Sequence, residues 1–218
     1  MRLQKPIVCV VTRARGVVGS PERLALLSRV GAAAGAGATM IQVRERHLDD
    51  RALLAFVREV LDATRSTPCL VIVNDRTDIA LTAGAHGVHL KDDGVSVADV
   101  RSIAPAALLV GRSVHSEAEA VARALDGGCD YLFFGTVFPS TSKPDDHAVA
   151  GIDQLRRVCA SVALPVVAIG GMTIGRTAQV ARAGAAGVAA ISLFAEATDV
   201  SRVVTSLHDA LTVNERNV

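Results

Sequence analysis

The sequence predicts an α/β chain closed as a single (β/α)8 TIM barrel, and three observations carry that expectation. Eight short runs rich in β-branched residues recur along the chain, at 6–11, 40–43, 69–73, 87–90, 108–110, 131–134, 165–169 and 187–191. Ala/Leu/Arg-rich segments of helical spacing lie between them, and most of these end in a glycine-containing turn just before the next run. The length of 218 residues then suits a compact barrel, near the short end of that fold's range of roughly 200 residues upward.

The runs are nearly continuous in apolar character, which is how parallel strands covered on both faces read. The segment holding Leu53, Leu54, Phe56, Val57, Val60 and Leu61 shows the intervals of one, three and four that gather side chains on one helical face. Gly35-Ala36-Gly37-Ala38, Gly84-Ala85-His86-Gly87, Gly127-Gly128-Cys129-Asp130 and Gly184-Ala185-Ala186-Gly187 supply residues that can close a helix in the left-handed conformation. No Pro/Ser linker or shift of composition divides the chain, so residues 1–218 read as one domain with its barrel core at about 6–212. An open, doubly wound sheet is the competing architecture.

Composition narrows the function. With 23 Lys+Arg against 22 Asp+Glu, 3% aromatic residues, one Tyr and no Trp, the chain offers neither a basic footprint nor stacking platforms for nucleic acid. No apolar run reaches the roughly 18 residues of a membrane span, and Met1-Arg2-Leu3-Gln4-Lys5 leads into a strand instead of a signal-peptide core. The expectation is a cytoplasmic protein with small-molecule ligands and neither nucleic-acid nor membrane partners. Cys9, Cys69, Cys129 and Cys159 lie far apart in or beside apolar stretches, as reduced buried thiols do, with no disulfide frame or zinc motif. The Ala/Gly-rich stretch at 31–38 suits close packing inside the barrel or against a second subunit, which leaves a homo-oligomer open.

In a barrel of this kind the reactive groups stand where strands run into loops. Those positions hold Arg44, Glu45 and Arg46; Asn74, Asp75 and Arg76; Lys91, Asp92 and Asp93; Arg112, Ser113 and His115; a loop at 135–145; Gly170-Gly171-Met172-Thr173; and Ser192. Gly170 and Gly171 let main-chain N–H groups approach an anion, Thr173 can cap the next helix, and Ser192 completes a candidate phosphate site after strands seven and eight. No acidic residue lies between Gly170 and Ser192 to cancel that potential. Arg44, Arg46 and Lys143 suit a second anionic group, unless the arginines pair with Glu45 or Asp75 as a structural ion network. Asn74 and Asp75 suit Mg²⁺, although one carboxylate alone is a thin metal signal. His115 is the acid/base candidate, whereas His89, inside an apolar strand, reads as a packed core histidine. His47, His86, His147 and His208 read as loop or surface positions.

Taken together, Q-V-R-E-R (42–46), V-N-D-R-T-D-I-A-L (73–81), G-A-H-G-V-H-L (84–90), G-R-S-V-H-S (111–116), F-G-T-V-F-P-S-T-S-K-P (134–144) and V-A-I-G-G-M-T (167–173) resemble the thiamine phosphate synthase and TenI family. The resemblance spans about 8–197 with the motifs in family order. It implies a (β/α)8 barrel with one of two activities. Synthase members join an aminopyrimidine pyrophosphate to a thiazole phosphate with Mg²⁺, releasing pyrophosphate. TenI-like members tautomerise the carboxythiazole phosphate and need no cofactor.

The resemblance also implies roles. Gly170, Gly171 and Ser192 would hold the thiazole's phosphate; Gln42, Arg44, Asn74, Ser140, Ser142 and Lys143 would contact the pyrimidine's pyrophosphate; Asp75 would be a metal ligand. Synthases usually follow the strand-four histidine with Gly-Gln-x-Asp, and here Gly94 stands where that second metal-binding Asp falls, unless Asp92 or Asp93 substitutes. Arg46 and Arg112 depart from the synthase pattern, and Gly-Arg-Ser-Val-His-Ser matches TenI-like proteins. These departures favour a thiazole tautomerase in which His115 moves the proton and Arg112 or Arg44 holds the carboxylate, with Ser113 and Arg46 also at the substrate. A Mg²⁺-dependent synthase is the alternative, and a non-catalytic regulator that binds thiamine precursors is a third.

Overall fold

The computed structural model describes residues 3–13, 17–140 and 148–212. Eight strands alternate with helices: β1 (Ile7–Val11), α1 (Pro21–Gly35), β2 (Met40–Val43), α2 (Asp50–Thr64), β3 (Leu70–Asn74), α3 (Thr77–Ala83), β4 (Gly87–Leu90) and α4 (Val97–Ile103) form the first half. The second comprises β5 (Leu109–Val114), α5 (Glu117–Asp126), β6 (Tyr131–Phe134), α6 (Gly151–Ser161), β7 (Val166–Ile169), α7 (Ile174–Arg182), β8 (Gly187–Ala190), the short α8 (Ser192–Ala195) and α9 (Val200–Thr212). All strand pairs are parallel in sequence order, and β1 closes on β8 with Ile7 opposite Gly187 and Val10 opposite Ala190. The (β/α)8 barrel is therefore closed, and the open-sheet alternative is excluded.

Strand alternation builds two cores. Inward-facing Ile7, Cys9, Val11, Met40, Ile72, Tyr131, Phe133, Val167 and Ala189 fill the barrel, while outward-facing Val8, Val10, Ile41, Val43, Val71 and Val73 meet the helices. In α2 the expected stripe is realised: Leu53, Phe56, Val57 and Val60 are buried, with Leu54 and Leu61 packed at its border. Helices begin where short polar side chains satisfy free main-chain donors. Ser20 Oγ accepts from Arg23 N, Asp49 Oδ1 accepts from Ala52 N, and Thr173 Oγ1 accepts from Arg176 N. Gly84 ends α3 with φ 73°, in the left-handed region a side chain would resist. The four cysteines are free thiols, three of them buried. Among the described residues no helix is long and apolar enough to cross a membrane.

One strand departs from expectation in a way that matters at the mouth. The fifth apolar run was expected to stop at Val110, but β5 continues through Val114. Gly111, Arg112 and Ser113 thus belong to the barrel wall and not to a loop. Alternation then sends Ser113 inward and Arg112 outward. Gly111 has no side chain because the Tyr131 ring occupies the place its Cβ would take.

Candidate functional site

The ends of the strands surround a cavity of about 470 Å³. Gln42, Arg44, Arg46, Asn74, Ser113, His115, Ser140, Gly170, Gly171 and Ser192 line it, which brings most of the expected site residues together. Ser142, Lys143 and His147 lie outside the described residues.

On the β2–β4 side a relay of side chains fixes the polar atoms. Gln42 Nε2 donates to Asn74 Oδ1 at 2.9 Å, and Asn74 Nδ2 donates to Asp75 Oδ2 at 2.8 Å. The order follows from chemistry: an ionised carboxylate only accepts, so Asn74 turns its NH₂ to Asp75 and leaves its oxygen for Gln42. Asp75 is not itself among the residues lining the cavity but is bonded to two that are, Asn74 and Lys91; it has φ 61°, and its Oδ1 accepts the main-chain N–H of Lys91 at 2.8 Å. Lys91 Nζ lies 3.4 Å from Asp75 Oδ2, and Lys91 itself lines the cavity.

Arg44 and Arg46 form no ion pair with Glu45 or Asp75 among the described residues. Glu45 instead accepts from Thr12 Oγ1 at 2.5 Å. Burial, and then the like charge of Arg46, pull the Arg44 pKa below its ordinary value. The carboxylates of Asp75 and Glu45 act on Arg44 in the opposite sense without outweighing that pull, and two guanidinium groups side by side at the rim suit an anionic ligand.

The floor is formed by His89, which the sequence assigned to the core. It is buried, as expected, yet its ring also faces the cavity. Its Nε2 lies 2.9 Å from Ser113 Oγ and its Nδ1 3.3 Å from the Tyr131 hydroxyl. Desolvation, reinforced by the nearby charges of Arg112 and Arg44, lowers its pKa to about 3. His89 is therefore neutral near pH 7.

At the β5 edge, His115 Nδ1 is 2.6 Å from the Gly135 carbonyl and therefore carries the proton. Its Nε2 lies 3.5 Å from Asp92 Oδ2, and both side chains are about half exposed, at 49% and 50%. Asp92, expected to be a solvated loop acid if not a metal ligand, thus faces His115 at the cavity wall, while Asp93 is exposed.

Arg112 corrects the expectation that it binds substrate. It is 4% exposed and does not line the cavity. Its guanidinium donates to the carbonyls of Val95 at 2.6 Å and Asp92 at 2.8 Å, bracing the loop between β4 and α4 from outside the barrel. The cause is the strand alternation described above.

The β7–β8 side is built from main chain. Gly170 and Gly171 adopt φ 98° and 62°. A Cβ on Gly171 would overlap the carbonyl oxygens of Phe138 and Pro139, and one on Gly170 would run into Thr136. Thr173 caps α7, whose N-terminal N–H groups and dipole favour an anion. Arg176 was missed in the sequence. Its Nη1 donates to the Gly171 carbonyl at 2.5 Å, and its guanidinium lies 4.7 Å over the Phe138 ring. The available signal was its place one turn into α7, from which a long side chain can reach back over the helix start. The expected absence of acid holds only along the sequence, because Glu196 also lines the cavity.

The chemistry around Asp75 also tests the implied Mg²⁺. No group of three His, Cys, Asp or Glu side chains able to hold a metal occurs among the described residues. Asp92 faces His115, and Gly94 offers no side chain. Mg²⁺ is commonly bound by one or two carboxylates together with substrate phosphates. Asp75 thus fits as the one protein ligand of an ion that a diphosphate also holds, and does not fit an ion held by protein alone.

Comparison with known proteins gives the chain's family. The family model described as thiamine monophosphate synthase (TMP-TENI) matches residues 9–194. A thiamine-phosphate synthase of Chloroflexus aurantiacus is 40% identical over 186 residues, covering 85% of each chain. Another, of Methanoculleus marisnigri, is 42% identical over 179 residues, covering 82% of this chain and 84% of that protein. The solved structure of thiamine phosphate pyrophosphorylase from Pyrococcus furiosus superimposes with a TM-score of 0.81 at 33% identity, covering 94% of this chain and 95% of that one. With a model matched across most of its length and relatives at this identity, the chain belongs to the thiamine monophosphate synthase (TMP-TENI) family.

Proposed function

We propose that this chain is a thiamine phosphate synthase, joining an aminopyrimidine pyrophosphate to a thiazole phosphate and releasing pyrophosphate. The observation that carries the reading is the 40% and 42% identity to two thiamine-phosphate synthases over more than four-fifths of the chain. It replaces the preference for the TenI-like branch, which rested on Gly94 at the second metal-ligand position, on Arg46 and Arg112 as departures from the synthase pattern and on the Gly-Arg-Ser-Val-His-Ser motif, with Arg112 or Arg44 holding the carboxylate. An Arg112 whose guanidinium is occupied by Asp92 and Val95 carbonyls has no such role.

In this reading Arg44 and Arg46 oppose the negative charge of the pyrophosphate, with Gln42, Asn74, Ser113 and Ser140 orienting the pyrimidine substrate. Ser142 and Lys143 belong to the same loop in the family resemblance. Gly170, Gly171 and Ser192 hold the thiazole's phosphate through main-chain and hydroxyl donors. The two anionic groups are then anchored on opposite walls, leaving the pyrimidine carbon that loses pyrophosphate next to the thiazole nitrogen that attacks it. Concentrating cationic groups around the leaving pyrophosphate stabilises charge that grows as its bond to carbon breaks. Neutral His89 beneath the substrates adds no positive charge to repel a cationic pyrimidine. Mg²⁺, held by Asp75 and the diphosphate, would supply further positive charge against the departing oxygens.

One observation favours the second, tautomerase reading. His115 has its Nδ1 fixed on the Gly135 carbonyl, leaving Nε2 free to exchange a proton beside Asp92.

The experiment gives the purified protein both substrates, with and without Mg²⁺, and follows thiamine phosphate. Mg²⁺-stimulated product is expected. Absence of product from folded protein, with aromatisation of the carboxythiazole phosphate that disappears in His115→Gln, would overturn the synthase in favour of the tautomerase.

A further inference from the structure

The Asp75 carboxylate has an unusual neighbour for a proposed metal ligand, because one residue engages both of its oxygens. The main-chain N–H of Lys91 binds Oδ1 at 2.8 Å, and the Lys91 ammonium lies 3.4 Å from Oδ2. The backbone contact fixes where the side chain starts, and the left-handed turn at Asp75, φ 61°, presents the carboxylate to it. The pair is loose and its lysine 47% exposed, so moving the ammonium from Asp75 to a nearby anion costs little. That anion would be close, since Lys91 lines the same cavity as Arg44, Arg46 and Asn74.

A second observation concerns the missing carboxylate. A Cβ at Gly94 would lie 3.8 Å from Asp75 Oδ1, so an acidic side chain there would reach over Asp75 and strengthen its hold on a cation. This chain leaves the position bare and keeps the loop braced by Arg112, which donates to the carbonyls of Asp92 and Val95 on either side of Gly94. One negative charge is absent and one positive charge is present, both within reach of the same carboxylate. Each change weakens the attraction for a divalent ion and strengthens that for a phosphate oxygen.

We propose that Lys91 is a resident cation of the diphosphate subsite: it shares Asp75 with the metal and binds the diphosphate directly, so the pocket takes that group even with no divalent ion. This rests on the reading that the β2–β4 wall receives a diphosphate. An ammonium suits the task as a compact point charge on a flexible stem, able to exchange a carboxylate for phosphate oxygens without a planar fork having to match either.

The test uses inorganic pyrophosphate and Mn²⁺ as probes on the full chain. Calorimetry in EDTA should show pyrophosphate binding to the wild type, weakened about tenfold or more in Lys91→Met and kept within about threefold in Lys91→Arg. Electron paramagnetic resonance without phosphate should show Mn²⁺ binding Lys91→Met several-fold tighter than wild type, and tighter still when Gly94→Asp is added. Retained binding in the Arg variant shows that charge, and not folding, is being read. Equal pyrophosphate binding by wild type and Lys91→Met in EDTA, no binding by the wild type, or unchanged Mn²⁺ affinity would each overturn the proposal. Measuring thiamine phosphate formation on the same preparations separates the two claims. Product without Lys91-dependent binding removes the resident cation and leaves the synthase, whereas Lys91-dependent binding without product does the reverse.

Discussion

On the β2–β4 side of the mouth the polar atoms belong to side chains, linked from Gln42 through Asn74 and Asp75 to Lys91. On the β7–β8 side they belong largely to main chain, at Gly170, Gly171 and the start of α7 behind its Thr173 cap. A side-chain wall can be altered one charge at a time, because each member has its own partner. The main-chain part of the other wall, apart from the side chains of Ser192 and Arg176, has no group to delete; it fails when its shape is disturbed. Substitution at the two walls should therefore differ in kind, the first changing affinity for one substrate and its metal, the second displacing a whole turn.

Gly171→Ala should give the largest effect. The new Cβ would meet the Phe138 and Pro139 carbonyl oxygens, and φ 62° is costly for any residue with a side chain. A shift of the turn on the ångström scale lowers kcat/KM for the thiazole phosphate by about a hundredfold. Steady-state kinetics with each substrate varied in turn checks it. An alanine variant of wild-type efficiency would show that this wall tolerates a side chain and holds no anion.

Asp75→Asn addresses the opposite wall. It preserves shape while removing the charge that faces Lys91 and orders Asn74. With charged hydrogen bonds worth roughly 1.5–3 kcal/mol, turnover should fall roughly thirtyfold, with a higher Mg²⁺ requirement and an unchanged affinity for thiazole phosphate. An equal loss of affinity for both substrates would erase the distinction between the walls.

The barrel and most of this mouth were legible because buried parallel strands leave continuous apolar runs, and the residues just beyond them define the open end. Legibility ended where polar residues enter the wall. Gly111, Arg112 and Ser113 interrupt the apolar pattern, so β5 read as ending at Val110, although the ladder runs to Val114. That error placed Arg112 in the mouth; in a strand it faces the helices. His89 is the packed barrel histidine its strand predicts, hydrogen-bonded to Ser113 and Tyr131; what its apolar neighbours conceal is that a buried barrel residue can also form a cavity floor. Arg176 and Glu196 carry no strand-end signal and enter the site only when the barrel closes. The left-handed conformation of Asp75 has no glycine to announce it.

His89 lies beneath both walls and supplies a smaller effect. Its pKa is about 3 in the fold, against an ordinary value of 6.5. Between those values the unfolded chain binds the extra proton, so stability rises with pH across this window and is lost as pH falls through it. The loss from this residue is about 1.5 kcal/mol between pH 6.5 and 5. Denaturant unfolding of wild type and His89→Gln at both pH values should show the variant's pH dependence flatter by that amount. An identical slope in the two proteins would mean that His89 accepts a proton in the folded barrel and that the floor can become cationic.

Arg112→Lys should give the smallest effect and sharpen the comparison furthest, since Arg112 touches neither wall directly. The guanidinium reaches the Asp92 and Val95 carbonyls together, whereas an ammonium is a point donor and cannot reproduce the fork. The charge survives but the loop carrying Asp92 and Gly94 loosens, and with it the residue next to Lys91. Loss of about 1 kcal/mol from one such contact corresponds to roughly a fivefold rise in KM for the pyrimidine pyrophosphate, with kcat and the KM for thiazole phosphate little changed. A side-chain wall depends on the loop behind it, and a main-chain wall on the far side of the barrel does not. A rise in the thiazole phosphate KM of the same size would show instead that the brace supports the whole rim and that the two walls are mechanically one.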